Sequence, residues 1–269
     1  MLWDNEPRNA FFDLQTIEIP KNNFDARTPS NIINSDLENY RNNFIIGHLN
    51  ARSLNKNITE LKAILDETDF DAVSISESWL RSRTPKDRFH INGYKIFRND
   101  RKNKRGGGVC LYVKEEFDCK RIKIPNTPES PEMLWVEVTV EHKKLAIGTL
   151  YKAPNIPCKT FYDAYDSLVY IFSKYEDPIL TGDFNVNMLN TDSADFKKLN
   201  DSLIEPFDFK QIINKPTRIT DKSSTLIDLL FVKDVNKVQT FGQCDAPGVS
   251  DHFFIYMAYN IKKKLVLNL

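Results

Sequence analysis

The sequence predicts an α/β fold in four layers, two β-sheets packed face to face and flanked by helices. Three observations carry that expectation. Apolar runs of strand length recur along the chain and end in polar residues, and helical patterns interrupt them in both halves. The composition, 41% hydrophobic, 12% aromatic and 28% charged, is that of a packed globular chain rather than a disordered one. Two successive sets of strands with helices between them leave the helices on the outer faces of two sheets, held as one domain. At 269 residues the chain is long enough to bury a large core.

The expected organisation is a weakly ordered leader, 1–43, a folded domain, 44–262, and a short tail, 263–269. The leader is rich in Asn, Asp and Pro and shows no sustained period. From Phe44, FIIGHLNA is an apolar run that reads as a buried strand. Ile58, Leu61, Ile64 and Leu65 then recur at helical spacing within 57–67, and DAVSISESWL reads as a second strand. From Tyr94 the pattern turns to β: YKIFRND, GGVCLYV and MLWVEVTV are rich in β-branched and aromatic residues with partial alternation. His142, Lys143 and Lys144 form the expected hairpin turn into LAIGTLYKAP. Phe161, Tyr165, Leu168, Val169 and Phe172 fall on one face of a helix over 159–175. PILTGDFNV is another short buried strand, a helix is expected over 194–203, and TLIDLLFV, VQTFG and HFFIYMAY read as strands.

Lys+Arg and Asp+Glu each number 37, so the net charge is zero. That excludes a basic coat protein and an acidic tail, but not a local patch that binds nucleic acid. No run of about 18 apolar residues exists, so no membrane-spanning helix is expected. MLWDNEPRNAFFDL lacks the regions of a secretion signal, which points to an intracellular location, nuclear or cytoplasmic. Cys110, Cys119, Cys158 and Cys244 are spaced neither as a metal knuckle nor as a disulfide framework and read as reduced thiols.

Several strand ends carry polar residues for which a simple core has no use: Asn50, Glu77, Asp183 with Asn185, and Ser250-Asp251-His252, with Asp228 inside STLIDLLFV. An ionised carboxylate in low-dielectric surroundings must be paired, hydrogen-bonded or bound to a cation. Converging carboxylates and amides with one imidazole therefore suggest a hard-cation site, for which oxygen ligands favour Mg²⁺, with Mn²⁺ as the alternative. Each residue alone is commonly a turn or core residue. Their order along the chain is what carries the reading.

Taken together, HLNARSL, SISESWL, RGGGVCLYV, LYKAPN, GDFNV, TLIDLLFV and GVSDH resemble the endonuclease/exonuclease/phosphatase superfamily, over about Phe44 to Ile261. Within it they resemble the apurinic-type endonuclease domain that opens the polyprotein of non-LTR (LINE-type) retrotransposons. The resemblance implies hydrolysis of a DNA phosphodiester that leaves a 3′-hydroxyl usable for target-primed reverse transcription. It makes Glu77 the principal metal-binding carboxylate, with Asn50 and Asp251 beside it. Asp183 becomes the residue that orients and deprotonates the attacking water, and Asn185 a donor to the phosphate. His252 becomes the imidazole on the same phosphate, Asp228 its orienting partner, and Tyr151 a phenol near the phosphate or leaving group. A further polar phosphate contact has three candidates, Thr217, Thr225 and Ser250, with Thr225 taken as the DNA contact; Arg52 is a possible support for Asn50 or for the DNA backbone.

The stretch Arg98 to Arg105 ahead of Gly106-Gly107-Gly108 has two readings, a solvated turn or a DNA-backbone contact through Arg101, Lys102, Lys104 and Arg105. Lys262 to Lys264 form either a second contact or a solvated tail. No reverse-transcriptase region follows Leu269, so a polyprotein fragment or a stand-alone endonuclease remnant is expected, with DNA as partner and a reverse transcriptase on the same parent polyprotein as a candidate partner. Two other functions compete: a phosphatase or phosphodiesterase acting on another phosphoester, and a catalytically silent DNA-binding module.

Overall fold

The computed structural model describes residues 28–85, 87–102, 104–125 and 131–263. In chain order it holds helix α1 (Pro29–Leu37), strand β1 (Asn43–Asn50), helix α2 (Leu54–Glu67), and strands β2 (Ala72–Ser76), β3 (Tyr94–Asn99), β4 (Val109–Lys114), β5 (Asp118–Arg121), β6 (Glu132–Val140) and β7 (Lys143–Tyr151). Helices α3 (Thr160–Asp163) and α4 (Tyr165–Lys174), strand β8 (Ile179–Asp183) and helices α5 (Ala194–Leu199) and α6 (Glu205–Phe207) follow. The chain ends with strands β9 (Lys210–Gln211), β10 (Arg218–Thr220), β11 (Ser223–Thr225), β12 (Asp228–Val232), β13 (Val238–Cys244) and β14 (Phe254–Lys262).

Two six-stranded sheets, ordered β13-β14-β1-β2-β4-β3 and β5-β6-β7-β8-β12-β9, make the expected sandwich, and β10–β11 is a separate hairpin. Each sheet has one parallel pair at its centre, β1–β2 in the first and β7–β8 in the second. Parallel neighbours need a crossover connection, which α2 supplies in one sheet and α3–α4 in the other.

The strand period of two sorts the core. Phe44, Ile46 and Ala72 join the cluster shared with the second sheet, whereas Ile45, Leu49, Val73 and Ile75 join the cluster under α1 and α2. Continuing the inward series gives His48 and Asn50 on β1 and Ser74 and Ser76 on β2, all buried. The sandwich interior therefore turns from apolar to polar toward the C-terminal ends of its central strands.

The structure departs from expectation in several places. Of the leader, Pro29–Leu37 is helical, with Thr28 Oγ1 accepting the Asn31 N–H and Ile33 and Leu37 buried; residues 1–27 lie outside the described residues. Thr-Pro at its start is the cap and first-turn signal of a helix, hidden by the Asn and Asp around it. The helix expected over 159–175 breaks at Ala164, which resets its face: Leu168 and Ile171 are buried, while Val169 is 44% exposed. Val140 pairs with Lys143, so the hairpin turns at Glu141-His142, with Glu141 at φ +54. TLIDLLFV divides between β11 and β12.

No helix among the described residues is long and apolar enough to cross a membrane. All four cysteines are free.

Lys263 belongs to the fold rather than to a solvated tail. Its Nζ donates to both oxygens of Asp71 at 2.7 Å, and Asp71 also accepts the Ile45 N–H at 2.7 Å. Burial pushes Asp71 up, and Lys263 and Lys114 offset that only in part. Removing Lys263 leaves the buried Asp71 with only the more distant cation of Lys114, at 3.4 Å, so Lys263→Ala is expected to lower unfolding stability by about 3 kcal/mol in urea titration. Lys262→Ala, which removes one hydrogen bond from an exposed lysine to Asn43 Oδ1, should cost about 1 kcal/mol. Equal effects of the two would sink this account.

Candidate active site

The polar strand ends collect on one rim of the sandwich. β1, β2, β7 and β8 run toward it, and β12 and β14 begin there because they are antiparallel to β8 and β1. Register sets Tyr151 opposite Asp183 and Asp183 opposite Asp228 on three neighbouring strands. Gly182 permits this approach, since a Cβ there would lie 1.9 Å from the Leu150 carbonyl oxygen.

Asn50 joins the two sheets. Its Nδ2 donates to Glu77 Oε1 at 3.0 Å and, across the sandwich, to Asp183 Oδ2 at 2.8 Å. Asp183, 1% exposed, also accepts the Asn185 N–H at 2.9 Å and Asn185 Nδ2 at 3.1 Å. Asn185 sits at φ +46, a left-handed conformation that Asn tolerates better than most residues, and its amide also bonds the Lys152 carbonyl at 2.9 Å. Burial, reinforced by the charge of Asp228, pushes Asp183 up to about 7.

Asp228 lies fully buried between two imidazoles. Its Oδ2 bonds His252 Nδ1 at 2.8 Å and Thr217 Oγ1 at 2.7 Å, and its Oδ1 lies 3.5 Å from His48 Nε2. Burial would raise Asp228, but its histidine partners hold it well below the ordinary carboxylate range. Burial would lower His252, and Asp228 more than offsets that, holding it at about 9. At neutral pH His252 is therefore an imidazolium, with Nδ1–H donating to Asp228. Burial lowers His48, which stays neutral.

Glu77, half-buried at φ +50, closes the rim just beyond β2. It accepts Asn50, Trp79 Nε1 at 3.0 Å and the Tyr151 hydroxyl. Burial and the charges of Glu77 and Asp183 raise Tyr151, so its phenol remains protonated. Arg52, Ser53 and Trp79 also have positive φ. Left-handed backbone in non-glycine residues persists where surroundings over-determine it, and such strain concentrates at functional sites.

Asp251 stands apart from this hydrogen-bonded run. Its Oδ2 accepts Arg52 Nη1 at 3.0 Å and Arg218 Nε and Nη2 at 3.0 and 2.9 Å, which hold its carboxyl below the usual range against the effect of burial. Its Oδ1 is buried without a hydrogen-bond partner. Asp183, Asp228 and His252 each offer an atom within 4.8 Å of the others, a spacing that could hold an ion. Asp228 and His252, however, already bond each other. Glu77 and the orphaned Oδ1 of Asp251 offer oxygen, the donor type that a hard divalent cation takes, whereas Asn50 Oδ1 already accepts the Arg52 N–H at 3.0 Å.

Arg101 differs from its basic neighbours. Its guanidinium pairs with Glu132, stacks 5.4 Å over the Tyr151 ring and passes where a Cβ on Gly107 would stand. Lys102, Lys104 and Arg105 are exposed. Thr225 sits on β11 with its hydroxyl 3.4 Å from the Arg218 carbonyl, while Thr217 is the residue that reaches Asp228, and Ser250 Oγ accepts the His252 N–H at 3.1 Å. Sequence reading missed His48 and Trp79. His48 was legible as the inward partner of Asn50 two residues on, and Trp79 lies two residues past Glu77.

Thr217 is fully buried, and besides bonding Asp228 its hydroxyl accepts the N–H groups of Ile227 and Asp228 at 3.2 and 3.0 Å. Thr217→Val keeps the shape and strands all three partners. It is expected to cost about 1–3 kcal/mol in denaturant unfolding, with Thr217→Ser near the parent value. A Val variant as stable as Ser would contradict this role.

Residues 42–252 match the Endonuclease/Exonuclease/phosphatase family. Among solved structures, the endonuclease domain of TRAS1, a telomere-specific non-LTR retrotransposon, is similar at a TM-score of 0.66 and 14% identity, covering 82% of this chain and 100% of that one. An AP endonuclease from Archaeoglobus fulgidus gives 0.64 and 13%, covering 81% of this chain and 100% of that one. The 3′ phosphatase NExo from Neisseria, bound to product DNA hairpin, gives 0.63 and 15% with the same coverage. No curated protein matches the sequence. These structural likenesses carry the fold, and the family match, spanning well over half of the sequence, carries the assignment: the chain belongs to the endonuclease/exonuclease/phosphatase family, whose members are hydrolytic nucleases and phosphatases.

Proposed function

We propose that the protein is a Mg²⁺-dependent DNA endonuclease that nicks a phosphodiester by attack of an activated water. The observation that carries this reading is the convergence on one rim of Asp183, held by Asn50 and Asn185, with His252, whose Nδ1 is bonded to Asp228. Enzymes of this family use divalent metals. Glu77, Asn50 and Asp251 would hold the ion, which when bound supplies Lewis-acid polarisation of the phosphate and stabilisation of the leaving oxyanion.

The chain's own groups account for the remaining chemistry. Asp183, held by Asn50 and Asn185, accepts the proton of the water as its oxygen bonds to phosphorus; a base with a pKa near the working pH suits that task. His252 directs Nε2 at the phosphate because Asp228 occupies Nδ1, so a fixed positive charge opposes the negative charge gathering in the transition state. Asn185 holds the base in place, its two amide hydrogens going to Asp183 and the Lys152 carbonyl, and Tyr151 stays a phenol bonded to Glu77, so its donor would reach the phosphate only by exchanging that partner. As the new bond forms, the bond to the 3′ oxygen breaks and that oxyanion takes a proton from solvent, leaving a 3′-hydroxyl and a 5′-phosphate, while Asp183 returns the water's proton to solvent. That product is a primer end, which fits use by a reverse transcriptase of the same parent polyprotein.

Exposed Lys102, Lys104 and Arg105 favour a long polyanion over a small phosphoester, and the solved relatives named above include a retrotransposon endonuclease and a DNA-bound phosphatase. The test is conversion of supercoiled plasmid to open circles in Mg²⁺. EDTA should abolish it, Glu77→Ala and Asp183→Ala should each lower the rate about 10³-fold or more, and Asn185→Ala about 10²-fold. No nicking by the parent protein on several DNAs, beside turnover of a nucleotide or inositol phosphate, would replace this reading with that of a phosphatase.

A further inference from the structure

Beside Glu77 a groove of about 390 Å³ opens over Trp79. Its charged lining consists of Lys56, Arg81, Arg83, Lys104 and Arg105, all exposed, and no carboxylate lines it among the described residues. Three separate segments deliver these cations: the first turn of α2, the loop after β2, and the loop before β4. Such a concentration of like charge in a concave surface is self-repelling unless an anion occupies it. Arg98 and Arg101, in the same basic stretch, are instead paired with Asp100 and Glu132. The cap of α2, Ser53, faces the groove without a side-chain hydrogen bond, so the positive end of a 14-residue helix adds to the same field.

Trp79 connects this groove to the rim. Arg105 lies 5.6 Å over the indole ring, and Gly106 packs at its edge, where a Cβ would meet Nε1 at 3.6 Å. The backbone of Trp79 is fixed at φ +56 by its N–H bond to the Gly107 carbonyl at 2.8 Å. From that position Nε1–H reaches Glu77 Oε2 at 3.0 Å. One side chain thus floors the groove and orients the carboxylate assigned to the metal.

We propose that the groove seats the phosphodiester backbone of the DNA strand on one flank of the cut, and that Trp79 is the positioning residue joining that seat to Glu77. The inference rests on the endonuclease reading and adds to it a strand path and Lys56, Arg81, Arg83 and Trp79. A cationic groove that tracks the backbone is sequence-tolerant, so it serves placement of the strand rather than choice of target.

The experiment uses labelled duplexes shortened on one flank or the other, with binding read by fluorescence anisotropy in EDTA across a salt series and nicking read separately in Mg²⁺. The parent protein is expected to lose affinity when one particular flank is shortened. An Arg81→Gln/Arg83→Gln variant should bind the full duplex about tenfold or more weakly, with a salt slope lower by about 2, and should be indifferent to shortening of that flank. Its KM should rise more than its kcat falls. Trp79→Phe keeps the ring and removes the N–H; it should lower kcat and weaken Mn²⁺ binding in an EPR titration while keeping the flank dependence. An unchanged salt slope and flank dependence in the arginine variant would overturn the seat, and unchanged Mn²⁺ binding and kcat in Trp79→Phe would overturn the link. Absence of nicking by the parent protein would overturn the endonuclease reading instead, with the anisotropy arms still deciding whether the groove holds DNA.

Discussion

The rim depends on one hydrogen bond, from Asn50 Nδ2 to Asp183 Oδ2 across the two sheets. A sandwich of two sheets is normally closed by apolar contact, and here the apolar core ends short of the strand ends, at Phe44, Ile46 and Ala72 on the first sheet. Beyond them His48, Asn50, Ser74 and Ser76 face inward, and buried polar groups must find partners. The amide of Asn50 answers that demand with two donors, one to each of two carboxylates that belong to different sheets. An aspartate in its place would bring a third negative charge to the same spot, and an apolar residue would strand both acceptors. The distance between Glu77 and Asp183 is therefore set by a single planar group on a central strand.

The same register that builds the rim creates its main electrostatic conflict. Asp183 and Asp228 are paired residues on adjacent strands, both buried, and two such carboxylates cannot both ionise freely. The conflict is resolved by splitting their environments. Asp228 receives His252, His48 and Thr217 and remains ionised; Asp183 receives neutral amide donors and rises toward neutrality. Divergent environments for neighbouring acids are what separate an orienting group from a base. His48 Nε2 stands 3.5 Å from the second oxygen of Asp228, and both atoms are buried without a hydrogen-bond partner among the described residues.

How much of this was legible in the sequence follows from which forces are local. The layers were readable because apolar periodicity is local, and the polar strand ends were readable because each interrupts such a run. The pairing between ends was not, since Asn50 and Asp183 are 133 residues apart and only sheet register brings them together. α1 went unread because its polar composition masked a short cap signal, and the break at Ala164 because one residue suffices to rotate the face of a helix. Lys263 looked like part of a solvated tail since nothing in a run of lysines reveals a buried Asp71 near the start of another strand. The stretch from Arg98 to Arg105 read as one patch, whereas folding divides it into guanidinium groups consumed by Asp100 and Glu132 and cations left in solvent.

That division also explains how a chain of zero net charge can present a strongly cationic groove. The 37 acidic and 37 basic residues balance in number, yet burial treats them unequally at the rim. Asp183 and Asp228 lie within the protein, where neighbouring imidazolium and amide groups compensate them locally, so little of their field reaches solvent. Lys56, Arg81, Arg83, Lys104 and Arg105 lie outside it, in a groove whose low-dielectric walls concentrate their potential. On the proposed reading, an approaching strand would meet these exposed cations before the buried acids. Charge is thus ordered in space, from exposed cation to buried acid, with the indole of Trp79 at the boundary between the two, and the proposed function would use that order to separate capture of a strand from the chemistry on it.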